Sequence, residues 1–310
     1  MSDGPTQAPF ALCLSHDVDR VRQTFQPLYY ALTERNFSHL RSLLAPGNSY
    51  WQFDDIMALE DDLGVRSSFY FLDEKWLFGD KPPWEWLHVD AWKRYTGRYD
   101  VDSPAVADVM RRLDDGGWEV GLHGSYDSYT EPDRLEREKA RIEAVLDHPV
   151  SGTRQHYLNL DVPETWRHHR RIGLAYDASL GSRDAVGFQH GYEPFRPFGD
   201  DFVVFPLTAM EVALVGDRGV EAAWVECERL LDEAESNGAV MTVLWHQRYF
   251  SEREFPGYRG LYRRLIQAAL ERGAWVGPLG EYYRAFVADG RAGSASDREP
   301  GADPPRHGPG

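Results

Sequence analysis

The chain has 310 residues, of which 42% are hydrophobic, so it can bury a substantial core in one barrel or in two smaller domains. Its net charge of −16 and its pI near 5.1 argue against binding to nucleic acid or to anionic membrane surfaces. No segment has the apolar length needed to span a bilayer, and residues 1–9 lack a basic stretch followed by an apolar run, so no secretory signal is expected. We therefore expect a soluble, cytoplasmic, acidic protein without nucleic-acid or membrane partners; the oligomeric state is not predicted.

Short apolar runs alternate with amphipathic stretches along most of the chain, a pattern typical of β/α units around a mostly parallel sheet. In chain order, strands are predicted at residues 10–15, 66–72, 119–123, 150–156, 174–177, 202–207, 240–246 and 274–277. Helices are predicted at residues 52–63, 104–115, 132–147, 163–172, 220–236, 258–271 and 279–288. Several of these helices have Pro in the first turn and Gly at the end. The repeated alternation predicts an α/β fold.

Two long stretches, at about 21–50 and 73–102, interrupt this alternation. Loops of that length in a compact domain are usually lids or walls of a binding site. The second stretch is rich in aromatic residues, namely Trp76, Trp84, Trp86, Trp92 and Tyr95. We expect most of these tryptophans to form a satellite hydrophobic cluster, and the alternative is that one or two of them stack on a sugar.

The domain organisation follows from these elements. Residues 1–9 are predicted to be an N-terminal extension and residues 10–289 a single barrel domain with two insertions. Residues 290–310 are rich in Gly, Pro, Ser, Asp and Arg and have few large apolar side chains. Such a composition cannot offset the entropy lost on ordering, so we expect a disordered tail.

Ionisable side chains collect at the C-terminal ends of five predicted strands, where β/α barrels assemble their active sites. The residues concerned are Asp17, Asp19, His123, Asp127, Arg154, His156, Asp177 and His246. Taken singly, each has an ordinary structural explanation as a helix cap, a core histidine or half of an ion pair. Their occurrence together at successive strand ends favours one functional site.

These residue types suit a metal-dependent hydrolase. A divalent cation such as Zn²⁺ binds imidazole nitrogen and carboxylate oxygen and keeps a position open for water. His123 and Asp127 are four residues apart, so one helical turn after the strand would point both inward. An aspartate from the first strand would complete a set of one histidine and two carboxylates. A further carboxylate, not committed to the metal, would take the proton from the water.

Four short motifs resemble those of the polysaccharide deacetylase (NodB homology, carbohydrate esterase family 4) superfamily. They are Leu-Ser-His-Asp-Val-Asp at 14–19, His-Gly-Ser-Tyr-Asp at 123–127, Gly-Thr-Arg-Gln-His at 152–156 and Leu-Trp-His at 244–246. The likeness covers most of residues 10–290 and implies an irregular (β/α) barrel of seven or eight mostly parallel strands. It implies a hydrolase that removes N-acetyl groups from a sugar or glycan precursor. The implied cofactor is a divalent metal, Zn²⁺ in the first place, with Co²⁺, Mn²⁺ and Ni²⁺ as alternatives.

The resemblance also implies a role for each matching residue. Asp17 would be the catalytic base and Arg154 would hold it in place, while His246 would protonate the departing amine. His123 would be a metal ligand, together with Asp19 and Asp127.

The sequence departs from the family pattern at two places. The usual adjacent aspartates are here Asp17-Val18-Asp19, and the second histidine of the metal motif is Asp127. His156 is a possible replacement ligand and His16 a weaker one, while Asp177 is a further possible ligand or substrate contact.

Two alternatives stay open. One is a metal-independent amidohydrolase of a small cyclic amide or ureide, since relatives of this superfamily hydrolyse such bonds without a metal. The other is a catalytically silent carbohydrate-binding homologue. The change at Asp127 supports silence, whereas the retention of Asp17, Arg154 and His246 argues against it.

Overall fold

A computed structural model describes residues 4–22, 48–288 and 290 of the chain. Nine strands form one sheet, and every ladder between them is parallel. The strands are β1 (Ala11–Val18), β2 (Ser68–Leu72), β3 (Glu119–Gly124), β4 (Gly152–Gln155), β5 (Tyr176–Asp177), β6 (Val203–Val204), β7 (Ala209–Met210), β8 (Val240–Leu244) and β9 (Trp275–Pro278).

The strand order is β6-β5-β4-β3-β2-β1-β8-β7, with β9 beside β1. The first half of β1 pairs with β9 and the second half, Ser15 to Val18, pairs with β2. No ladder joins β6 to β7 within the described part of the chain, so the sheet curves into an open, irregular barrel. This confirms the predicted fold class.

Ten α-helices are found among the described residues, and all seven predicted helices are present. They are α1 (Phe53–Leu63), α2 (Leu77–Asp80), α3 (Val89–Tyr95), α4 (Pro104–Asp115), α5 (Pro132–Leu146), α6 (Glu164–Arg171), α7 (Glu211–Val215), α8 (Val220–Asn237), α9 (Tyr258–Glu271) and α10 (Leu279–Ala288). The unpredicted helices α2, α3 and α7 have seven residues or fewer, too few to show a 3.6-residue period. None of the described helices combines the length and apolarity needed to cross a lipid bilayer.

Helix α4 shows why these segments are helical. Its buried side chains include Val106, Val109, Met110 and Leu113, which recur every three or four residues and so form one apolar face. Pro104 occupies the first turn, where its missing N–H costs no hydrogen bond. The apolar face packs into the layer between the helices and the sheet.

Strand β1 is buried on both faces, and its side chains alternate between two cores. Leu14 and Val18 pack with the helices in the outer core, whereas Ala11 and Cys13 pack inside the barrel. The alternation places Asp17 on the same face as Cys13, towards the barrel interior. The following residue of that parity, Asp19, lies just beyond the end of the strand.

A buried polar network stands behind β1 on its outer face. Its centre is Glu60 of α1, which is fully buried. The Glu60 carboxylate receives hydrogen bonds from Tyr262 OH (2.7 Å), Ser67 Oγ (2.9 Å) and Trp118 Nε1 (2.7 Å) and lies 3.1 Å from His16 Nε2. The other ring nitrogen of His16 is hydrogen-bonded to the carbonyl of Trp245 (2.6 Å). The network therefore joins β1, α1 and α9.

The aromatic insertion has a small core of its own. Leu77, Ala91 and Tyr95 are buried together, and Trp86 packs against them as the satellite-cluster hypothesis predicts. Three other tryptophans are substantially exposed, contrary to the expectation that most of them would be buried in such a cluster: Trp76, Trp84 and Trp92. Most of the first insertion, at 23–47, and the tail, at 291–310, lie outside the described residues. The domain boundaries therefore stay predictions.

We predict that Glu60→Ala lowers the free energy of unfolding by about 3–5 kcal/mol, because it leaves buried donors from several elements without an acceptor. Urea denaturation measures the loss. The matched control is Asp61→Ala on the same helix, where an exposed carboxylate pairs with Arg66 (2.8 Å). That variant is expected to lose less than about 1 kcal/mol. Equal losses in the two variants would contradict a structural role for the Glu60 network.

Candidate active site

Polar side chains from three strands converge at the C-terminal end of the barrel. β1 supplies Asp17 and leads into Asp19, β3 supplies His123, and β4 supplies Arg154 and leads into His156. His123 and Arg154 are register partners on adjacent strands. Asp17 and Asp19 are two residues apart, as are Arg154 and His156, so the strand period turns each pair to one face. Each of these strands therefore directs its polar side chains to the same side, the interior of the barrel.

Asp19, His123 and His156 form the group best suited to hold a cation, since one ligand atom from each lies within 4.8 Å of the others. Asp19 Oδ1 is 3.3 Å from His123 Nε2 and 3.5 Å from His156 Nε2. This oxygen is buried and has no hydrogen-bond partner among the described residues. A buried carboxylate oxygen without a partner is costly, and two imidazole nitrogens facing it complete a donor set that fits Zn²⁺ or a similar divalent cation.

The protonation states suit this role. His123 Nδ1 is hydrogen-bonded to the carbonyl of Arg154 (2.8 Å), which leaves Nε2 for the triad. Burial lowers the pKa of His156 to about 4, so its imidazole is neutral at neutral pH, as a metal ligand must be. Burial alone would raise the pKa of Asp19, but His156, His123 and His246 hold it well below its ordinary value.

Asp17 is fixed beside the triad by a buried ion pair. Arg154 Nη1 donates to Asp17 Oδ1 (2.9 Å) and to Ser15 Oγ (2.9 Å). The second oxygen, Asp17 Oδ2, faces His123 Nε2 at 3.7 Å. Burial would raise the pKa of Asp17, but its interactions with His123, Arg154 and His246 bring the pKa below its ordinary value. An ionised carboxylate thus has one oxygen committed to Arg154 and one turned towards the triad.

His246 approaches the triad from β8. Its Nδ1 donates to Glu211 Oε1 (2.7 Å), and its Nε2 lies 3.8 Å from Asp19 Oδ2. Burial would lower the pKa of His246, but Glu211, Asp19 and Asp17 raise it to about 9, so the ring carries a proton at neutral pH. Glu211 was not predicted as a site residue. The signal available in the sequence is a single acidic residue inside the apolar run 209–215.

Asp127, expected from the sequence as a metal ligand, is not brought to the triad. Its Oδ2 receives hydrogen bonds from Lys81 Nζ (2.7 Å), Lys75 Nζ (3.4 Å) and Tyr95 OH (3.2 Å). The reason is that β3 continues through Gly124, so His123 still lies in a strand. The four-residue spacing to Asp127 is therefore not one helical turn. His156 supplies the second imidazole instead.

The two remaining candidates also lie apart from the triad. His16 is on the outer face of β1, bound to Trp245 and Glu60. Asp177 accepts hydrogen bonds from Ser179 Oγ (2.6 Å) and Trp166 Nε1 (3.2 Å). Both are committed to structural hydrogen bonds.

We predict that His156→Ala weakens Zn²⁺ or Co²⁺ binding by more than the about 10- to 100-fold typical of a residue that only supports a ligand. Asp127→Ala should leave the affinity unchanged, because Asp127 binds lysines rather than the triad. Competition with a chelator of known affinity measures both variants. Loss of metal in Asp127→Ala and retention in His156→Ala would reverse the assignment.

A pH-dependent prediction concerns the loop after His123. Glu138 of α5 accepts hydrogen bonds from Ser125 N (3.0 Å), Ser125 Oγ (2.5 Å) and Arg134 Nε (2.5 Å). Burial raises the pKa of Glu138 from 4.5 to about 7. The folded protein therefore holds this proton more tightly than the unfolded chain. As pH rises from about 4.5 to about 7, the wild type should lose stability relative to Glu138→Gln and then level off. Urea denaturation across this range measures the difference, and a pH-independent difference would contradict the raised pKa.

No family model matches this sequence, and neither does any curated protein. Among solved structures, a protein from Mycobacterium smegmatis assigned to the polysaccharide deacetylases matches with a TM-score of 0.58 at 15% identity, over 94% of this chain and 96% of that one. A protein from Pseudomonas aeruginosa PAO1, also assigned to the polysaccharide deacetylases, matches with a TM-score of 0.57 at 15% identity, over 91% of this chain and 92% of that one. This chain has the polysaccharide deacetylase fold.

The same fold is also found in a protein that is not named as a deacetylase. The 4-α-glucanotransferase from Thermococcus litoralis matches with a TM-score of 0.54 at 17% identity, over 89% of this chain and 40% of that one. The resemblance found in the motifs is therefore confirmed at the level of fold. The fold alone does not determine the activity, which depends on the residues of the site.

Proposed function

We propose that this protein is a divalent-metal-dependent hydrolase that removes an N-acetyl group from a sugar or glycan precursor. The observation that carries the proposal is that two aspartates, two residues apart, make different contacts in the site. Asp19 faces two imidazoles as a cation ligand, whereas Asp17 is held by Arg154 and keeps one oxygen free beside them. A hydrolase of this kind needs a ligand and a base that are separate groups. The polysaccharide deacetylase fold supports the same conclusion.

The residues that would hold the metal are Asp19, His123 and His156. When bound, a divalent cation polarises the substrate carbonyl and lowers the pKa of a water molecule. His123 lies within β3, and Asp19 and His156 lie directly beyond the ends of β1 and β4, so the donor set is assembled at the strand ends of the barrel.

Asp17 is placed to accept the proton of the attacking water. Its Oδ1 accepts a hydrogen bond from Arg154, whereas Oδ2 lies on the side of the triad. Water adds to the acetyl carbonyl carbon and passes its proton to Oδ2. Arg154 keeps the carboxylate from rotating away and stabilises its charge.

His246 is placed to protonate the departing nitrogen. Glu211 holds Nδ1, so the proton that can be donated is on Nε2, which points to the triad. As the carbon–nitrogen bond breaks, this proton goes to the amine. The products are acetate and a free amino sugar. Glu211 therefore acts on the leaving group only through His246.

Asp17→Asn tests the base. Asn keeps an oxygen that can accept the Arg154 hydrogen bond, but it cannot act as a base. Turnover should therefore fall by about 10²- to 10⁴-fold or more, while the metal affinity should be unchanged. The measurement is acetate release from N-acetylated sugars and nucleotide sugars with added Zn²⁺, Co²⁺, Mn²⁺ or Ni²⁺, in low and high salt. Circular dichroism and thermal unfolding check that the variant folds.

Two outcomes would contradict the proposal. Wild-type turnover in Asp17→Asn would remove Asp17 as the base. Full wild-type turnover in excess chelator would remove the metal and favour a metal-independent amidohydrolase.

A further inference from the structure

Glu74 is a buried carboxylate that the proposed reaction does not use. It lies two residues beyond β2, at the start of the aromatic insertion, and is almost completely inaccessible. Its Oε2 accepts the backbone N–H of Tyr126 (2.9 Å), and its Oε1 accepts that of Lys75 (2.9 Å). The same Oε2 lies 3.4 Å from His156 Nδ1. A carboxylate therefore stands directly behind one of the three candidate ligands.

The hydrogen-bonding needs of His156 make this contact informative. A neutral imidazole has one N–H and one lone pair, and only the lone pair can bind a cation. Nε2 is the atom that faces Asp19 and His123, so Nδ1 must carry the proton whenever Nε2 binds a cation. His156 Nδ1 is buried and makes no well-formed hydrogen bond with the described part of the chain. The Glu74 carboxylate is the acceptor that faces it.

The two imidazoles of the triad are supported in different ways. His123 belongs to β3 and its Nδ1 is bound to a backbone carbonyl. His156 lies just beyond β4, and the two residues that follow it, Tyr157 (φ +61°) and Leu158 (φ +57°), are both left-handed. Residues other than Gly seldom adopt that backbone conformation. A ligand past the strand end, on so irregular a turn, needs a side-chain anchor that the sheet does not provide.

We propose that Glu74 is a positioning residue that accepts the Nδ1–H of His156 and thereby fixes the tautomer and ring orientation that present Nε2 to Asp19 and His123. Histidine ligands commonly donate their second N–H to a carboxylate, which orients the ring and makes it a better donor. Through Tyr126 N the same carboxylate also holds the loop that follows His123. The effect on metal affinity rests on the proposed function, whereas the effect on the tautomer does not.

The first test reads the tautomer in metal-free protein. Nitrogen-15 spectra of histidine-labelled wild type should show His156 predominantly as the Nδ1–H form at neutral pH, with the signal assigned by its loss in His156→Ala. Glu74→Gln, which keeps the size of the side chain, should show a mixture of tautomers. The matched control is Glu131→Gln, which removes a nearby exposed carboxylate that binds Lys75 (2.9 Å). An unchanged His156 tautomer in Glu74→Gln would overturn the proposal.

The second test uses Co²⁺ as the probe. Glu74→Gln should bind Co²⁺ about 10- to 100-fold more weakly than wild type, and Glu131→Gln should bind it unchanged. Because Glu74 acts through His156, Glu74→Gln should cause no further loss in the His156→Ala background. An equal loss in that background would show a general structural role and overturn the proposal. If Glu74→Gln fails to fold, Glu74→Asp, which keeps the charge but shortens the reach, takes its place in both tests.

The two tests separate this inference from the proposed function. If wild type binds no Co²⁺ and the His156 tautomer still depends on Glu74, the metal-dependent reaction is wrong and the positioning role stands. If wild type binds Co²⁺ and Glu74→Gln changes neither the tautomer nor the affinity, the positioning role is wrong and the reaction stands.

Discussion

The buried ion pair between Asp17 and Arg154 is the interaction on which the rest of the site depends. It connects β1 to β4 across the barrel interior, since β2 and β3 lie between these strands in the sheet. Removing two charges from water is costly, and here further contacts offset the cost. Arg154 also donates to Ser15 Oγ and to the carbonyl of Ala178, and its guanidinium lies 4.9 Å from the centre of the Tyr70 ring.

The same pair sets the spacing of the triad. Asp19 follows Asp17 by two residues and His156 follows Arg154 by two residues, so each ligand extends from a member of the pair. The distance from Asp19 to His156 is therefore tied to the distance from Asp17 to Arg154. A site assembled from distant parts of the chain thus has its spacing tied to one buried contact.

Much of the fold and part of the site could be predicted from the sequence. Apolar runs and amphipathic periods predict every long strand and helix, because burial on one or two faces leaves a regular trace. The grouping of Asp17, His123, Arg154 and His246 could be predicted because parallel strands end at the same edge of a barrel. Strand β7 and helix α7 could not, since two and five residues are too few to show a period.

The errors have equally specific causes. Asp127 was assigned to the metal on a helical spacing, whereas the chain around His123 is extended and turns afterwards. A period of two, applied to β4 as well as to β1, would have favoured His156 in place of Asp127, beside the expected Asp19. Glu74 has no local signal of function, and that of Glu211 is limited to its position inside an apolar run. Their partners, His156 and His246, are distant in sequence and meet them only in the folded barrel.

The Glu60 network behind β1 has a consequence for how this protein can evolve. Adjacent residues of that strand, His16 and Asp17, face opposite ways, one into the network and one into the reaction centre. The backbone that carries Asp17, the proposed base, is thus held by contacts on both faces of the strand. Substitutions at Tyr262 or Trp118, which bind Glu60 on the outer face of the strand, can shift that backbone and so change the candidate site from the opposite side. Selection for altered rate or specificity can therefore act through residues outside the site that would ordinarily be regarded as packing residues.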